Sequence, residues 1–115
     1  MEIVSKKSPV KEIQTMAERM FGNFVKAVVD VERRIMAIDA ELHADEEALL
    51  LENGSRQEDL WGINIYPFLD RNGPDFVEFD SMINLRPSQG NRSRGVENAD
   101  TRNKIISIVN EWIEQ

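Results

Sequence analysis

Phe24-Val25-Lys26-Ala27-Val28-Val29-Asp30-Val31 is followed by Glu32-Arg33-Arg34 and then by Ile35-Met36-Ala37-Ile38-Asp39. Val25, Ala27, Val29 and Val31 alternate with Lys26, Val28, Asp30 and Glu32, the period-two pattern of a strand. Ile35 to Ile38 supplies a second strand, so the charged stretch between them is the turn of a hairpin. A helix over 24–38 also fits the spacing of Phe24, Val28, Ile35 and Ile38. The run of valines favours the hairpin, because β-branched side chains suit a pleated, half-buried surface. No Gly or Asn marks the turn, which leaves its register open.

Upstream, residues 1–7 read as a frayed tail or a short edge strand. Ser8-Pro9 is a helix start, with Ser as N-cap and Pro at the first helical position. Val10, Ile13, Met16, Ala17, Met20 and Phe21 follow at helical spacing, giving a helix over 9–21 that stops at Gly22-Asn23.

Downstream, Ala44 to Glu52 reads as a helix, with Asp45, Glu46 and Glu47 at the positive end of its dipole and Asn53-Gly54 as its stop. A short strand at 48–52 is the alternative. Ser55-Arg56-Gln57-Glu58 matches a capping box, which predicts one helical turn before Leu60-Trp61. Ile63, Ile65 and Tyr66 alternate with Asn64 as a strand that Pro67 ends. Asp70 to Asp75 is a turn by composition. Phe76 to Leu85 is expected as another strand, with Val77, Phe79, Ser81 and Ile83 on one face. Residues 86–97 form a polar loop. Asn98 or Asp100 caps a last helix whose stripe is Ile105, Ile108, Val109, Trp112 and Ile113.

The order α-β-β-α-β-β-α predicts one α+β domain over 1–115: an antiparallel sheet of about four strands, covered by helices on one side. Strand order is not readable. The 115 residues carry 14 Lys+Arg against 21 Asp+Glu, a formal charge of −7, with 41% hydrophobic and 30% charged residues. That is the profile of a folded domain rather than a disordered chain. With no cysteine, disulfides, thiolate metal sites and cysteine nucleophiles are excluded. Ala48-Leu49-Leu50-Leu51 is the longest apolar run, far short of the ~20 residues a membrane helix needs. No signal peptide is readable, so the expected location is cytoplasmic, with no membrane contact. The acidic balance argues against a broad nucleic-acid surface, though not against a local positive site.

One segment breaks the acidic character. Arg86-Pro87-Ser88-Gln89-Gly90-Asn91-Arg92-Ser93-Arg94-Gly95 has three arginines and no acid. Arginine forks match carboxylate and phosphate oxygens, and glycines let backbone N–H groups turn toward a guest. Arg86, Ser88, Gln89, Asn91, Arg92, Ser93 and Arg94 are therefore the candidate ligand-binding residues, for an anionic or phosphate-bearing partner. The segment is not a P-loop, because the Gly-Lys-Ser/Thr ending is missing. The structural alternative pairs the arginines with Asp80, Glu78 or Asp100, or places the loop in a homodimer interface. His43, the one histidine, with Asp45 or Asp80 as a neighbouring carboxylate, is the candidate for general acid–base chemistry. A lone histidine makes a catalytic zinc site a poor fit, and no cofactor is expected. Trp61 and Trp112 read as core.

Val28-Val29-Asp30-Val31, Glu41-Leu42-His43-Ala44-Asp45, Gly54-Ser55-Arg56-Gln57-Glu58-Asp59-Leu60-Trp61-Gly62-Ile63-Asn64 and Ile83-Asn84-Leu85-Arg86-Pro87-Ser88-Gln89-Gly90-Asn91-Arg92-Ser93 together resemble a small bacterial family of uncharacterised proteins, a domain of unknown function. The resemblance runs from about residue 9 to 113. It implies a free-standing prokaryotic protein of this length and carries over no activity or catalytic residue. The residues themselves leave three functions: a binding module using the arginine loop, a small hydrolase or nuclease built on His43, and a structural homodimer in which the loop is an internal brace.

Overall fold

The computed structural model describes residues 1–114. Its elements are β1 (Glu2–Ile3), β2 (Ser8–Pro9), α1 (Val10–Arg19), β3 (Val25–Asp30), β4 (Ile35–Ile38), α2 (His43–Glu52), β5 (Leu60–Ile65), β6 (Val77–Glu78), α3 (Ala99–Trp112) and β7 (Ile113–Glu114), with 3-10 turns at Gln57–Asp59, Met82–Asn84 and Pro87–Gln89. An antiparallel sheet in the order β1-β4-β3-β5-β6 forms the centre, and β2 pairs in parallel with β7. The architecture is α+β, as expected.

The central hairpin forms as read, with Val28 opposite Ala37. Its turn works without Gly or Asn because Asp30 organises it. One carboxylate oxygen accepts the N–H groups of Glu32 at 3.0 Å and Arg33 at 2.9 Å. Ser55 donates to the other at 2.6 Å, and Arg34 takes the left-handed position at φ 56°. That leaves the expected capping box at 55–58 unmade: the Ser55 hydroxyl is spent on Asp30, and the turn at Gln57–Asp59 has no side-chain cap.

Helices cover both faces of the sheet, not one. Val25, Ala27, Val29, Met36, Ile38, Ile63 and Ile65 pack with Ile13, Met16 and Ala17 of α1 and with Ile105, Ile108 and Val109 of α3. On the other face Val28, Ala37 and Leu60 pack against Leu50 of α2 and the partly buried Ile83. This is why valines fill both phases of β3: a strand covered on both faces reads as a near-continuous apolar run. Asp30 and Val28, assigned to the polar phase by alternation, are fully buried.

Two further expectations are corrected, and of the two readings of the tail the edge strand is the one that forms. Residues 8–9 are a strand rather than a cap, since Pro9 itself is the N-cap position and no side chain caps α1. The tail forms an edge strand against β4. The strand expected over 76–85 shrinks to Val77–Glu78, because Ser81 accepts the N–H of Ile83 and turns the chain into a 3-10 turn. Elsewhere the local signals hold: Gly22 stops α1 at φ 95°, and Asn98 caps α3 by accepting the Thr101 N–H at 3.0 Å.

Candidate functional site

β6 pairs only with Asn64 and Ile65, so the rest of the outer edge of β5 needs other partners. An unpaired buried backbone group costs about 1–3 kcal/mol. The segment after β6 supplies side chains in place of a strand. Asn84 accepts the Gly62 N–H through Oδ1 at 2.9 Å and donates Nδ2 to the Gly62 carbonyl at 2.9 Å. Farther along the edge, Arg86 Nη2 donates to the Leu60 carbonyl. Gly62 is required for this approach, since a Cβ there would lie 2.6 Å from Ser81 Cβ.

Arg86 is fully engaged. Nε donates to the Ile83 carbonyl at 3.1 Å, Nη1 to the Gln57 carbonyl at 2.7 Å, and the guanidinium lies 4.2 Å from the centre of the Trp61 ring. Burial lowers its pKa from the ordinary arginine value. Gln89 accepts from Arg86 at 3.3 Å and donates to the Glu58 carbonyl at 3.2 Å. Asn91, buried, donates to the carbonyls of Asn84 at 2.7 Å and Gly95 at 2.8 Å and accepts the Glu97 N–H at 2.9 Å. Glu97 folds back over the loop, where its carboxylate accepts the Arg92 N–H at 2.7 Å. That bond, and bonding from Ser93, holds Glu97 below the usual carboxylate range.

The outer rim is different. Arg94 uses only Nε, on Asp80 at 2.7 Å, as the pairing with Asp80 read from the sequence would have it. Arg92 is exposed, and among the described residues no carboxylate lies within 4 Å of its guanidinium. Ser88 is exposed and Ser93 accepts the Gly95 N–H at 3.2 Å. Behind the loop, toward α3, a cleft of about 470 Å³ includes Trp61, Gln89, Asn91 and Thr101, together with Glu58 and Glu97. Those two carboxylates make it a poor place for an anion.

His43 opens α2 and is buried. Its Nε2 lies 2.7 Å from the Ile63 carbonyl. A carbonyl only accepts, so Nε2 carries the proton of the neutral ring. Burial lowers the His43 pKa. The Ile63 bond and Asp80 oppose that shift, while Lys26 and Arg94 add to it. Asp80 and Arg94 are thus the electrostatic neighbours of His43 among the nominated residues, whereas Arg86 sits by Leu60 and Gln57. Asp45 is exposed on α2. Among the described residues no group of three His, Asp or Glu side chains is placed to hold a metal ion.

The lowered His43 pKa has a measurable consequence. The unfolded chain takes up the proton near pH 6.5 while the folded one resists it, so the histidine costs stability as pH falls below that value. His43→Gln, which keeps a donor for Ile63, removes this cost. In urea titrations the variant gains stability relative to the native protein as pH falls from about 7.5 to about 5. An unchanged difference across that range would mean that the ring titrates normally.

Sequence reasoning passed over Glu46 and Asn64. Glu46 is fully buried on α2. Its Oε2 accepts the Ala40 N–H at 3.2 Å and its Oε1 has no partner. Burial raises its pKa to about 9, so it is a neutral acid at pH 7. Its spacing with His43 and Leu50 was the available signal. Asn64 is buried in β5 and donates to Glu78 Oε1 at 2.8 Å.

Among the described residues no helix is long and apolar enough to cross a membrane. The family described as Protein of unknown function (DUF5674) matches residues 2–112, and the chain belongs to it. No curated protein and no solved structure matches the chain.

Proposed function

We propose that this DUF5674 protein is a non-enzymatic binding module that meets an anionic or phosphate-bearing partner with the outer rim of its arginine loop. The observation that carries this is a division of labour within the loop. Arg86, Asn84 and Asn91 bond inward, whereas the Arg92 guanidinium and the Nη groups of Arg94 have no hydrogen-bond partner among the described residues. A loop braced from within loses little entropy on binding, and guanidinium forks are matched to phosphate oxygens. Ser88 adds an exposed hydroxyl to the same loop.

Pyrophosphate is the probe. At low salt it binds saturably and raises Tm, with an affinity that falls as salt rises. Arg92→Ala weakens binding about tenfold and leaves Tm without ligand unchanged. Arg86→Ala strips donors from three carbonyls and lowers stability by about 2–3 kcal/mol. Equal pyrophosphate binding by Arg92→Ala, or none by the native protein, rejects the rim. The second reading, the loop as a brace alone, is favoured by Glu97 already occupying the Arg92 N–H, and it would then stand.

A further inference from the structure

At the opposite end of β5 from Arg86, a pocket of about 320 Å³ is lined by Tyr66, Leu69, Pro74, Asp75, Val77 and Glu78. Two carboxylates face it, and among the described residues no Lys or Arg nitrogen lies within 4 Å of either. The nearby Lys26 is held over the Phe21 ring, 5.2 Å from its centre. Glu78 is fixed in place: its Oε1 accepts from Asn64 Nδ2 at 2.8 Å and from the Tyr66 hydroxyl at 3.1 Å. No hydrogen bond among the described residues reaches its Oε2. Asn64, which holds it, is buried. The Tyr66 ring is backed by Phe24 at 5.4 Å, and Phe24 stacks on Phe21 at 4.6 Å. Leu69, Pro74 and Val77 give the pocket apolar lining.

We propose that this pocket binds an organic cation, a guanidinium or primary ammonium group on a short aliphatic stem. The charged head would meet the free oxygen of Glu78 and the Asp75 carboxylate and lie against the Tyr66 ring, and the stem would cover Leu69, Pro74 and Val77. A cation over an aromatic face gains about 0.5–1 kcal/mol when exposed and more when desolvated, and a fixed carboxylate adds a charge-assisted hydrogen bond. The formal charge of −7 raises the local concentration of any cation. The site is separate from the arginine rim, and neither depends on the other.

Butylguanidinium, butylamine and neutral butanol, followed by NMR shifts at low salt, form the test. The two cations bind saturably and shift resonances around Tyr66 and Val77, while butanol does not. Glu78→Gln, at an exposed position, weakens the cations about tenfold. Asp75→Asn weakens them about threefold. Tyr66→Phe keeps the ring and loses only the hydroxyl that orients Glu78, so it costs less than Tyr66→Leu. Comparison with acetyl-Val-Arg-Val-amide separates two sources: tighter binding by the peptide marks a basic side chain of an extended partner, and equal binding marks a free amine. Saturation by butanol alongside the cations, unchanged affinity in both Glu78→Gln and Asp75→Asn, or no saturation by any cation overturns the proposal.

Discussion

Asn84→Ala lowers the stability of this protein by about 4 kcal/mol, a larger loss than any single substitution in the arginine rim produces. The asparagine amide stands in for a missing length of β6: it bonds both the N–H and the carbonyl of Gly62 and donates as well to the Arg94 carbonyl at 3.0 Å. Removing it strands buried groups on both sides, because Asn84 and Gly62 are shut off from water. Each stranded group costs about 1–3 kcal/mol. The measurement is the urea midpoint at constant m. Asn84→Asp sharpens it, since it still accepts from the Gly62 N–H but turns a carboxylate toward two carbonyl oxygens. Its loss should equal or exceed that of alanine. A loss under about 1 kcal/mol in both variants would mean that water replaces the amide at the sheet edge, and that the segment after β6 is not a brace.

The second large effect is a gain. Glu46→Gln stabilises the protein above neutral pH, by about 3 kcal/mol at pH 8. The carboxyl titrates near 4.5 when unfolded and near 9 when folded. Between those values the folded state holds a proton that the unfolded state has released. Stability therefore falls as pH rises through that window, and the full penalty is reached above the folded value. Glutamine keeps an acceptor for the Ala40 N–H and has nothing to ionise. Urea midpoints at pH 6, 7, 8 and 9 decide it: the native protein should decline steadily while the variant stays flat. Below pH 6.5 the buried His43 acts in the opposite sense, so the glutamate slope is cleanest above that value. Parallel curves for the two proteins would show instead that Glu46 is ionised in the fold and balanced by Lys26.

These two residues mark where reading the chain stopped short. Glu46 lies in a stretch whose three acids match a helix N-terminus, and that match hid its phase with His43 and Leu50. Asn84 lies in ten residues that alternate well enough to pass for a strand. Arg86 carries the same charge as Arg92 and Arg94, so composition grouped all three, although one is a pin and two are a rim.

The helices, the central hairpin and the sheet-containing class were legible because each rests on periodicity within some ten to twenty residues, and that signal survives whatever the rest of the chain does. The same holds for the helix stop at Gly22 and the cap at Asn98. Tertiary structure alone decided that helices lie on both faces and that Asn84 and Arg86 complete the edge of β5. Those outcomes depend on groups more than twenty residues apart arriving side by side. A hydrogen-bond partner that far away leaves no mark on local spacing. Whether an arginine faces inward or outward is fixed by which carbonyls the fold leaves unpaired.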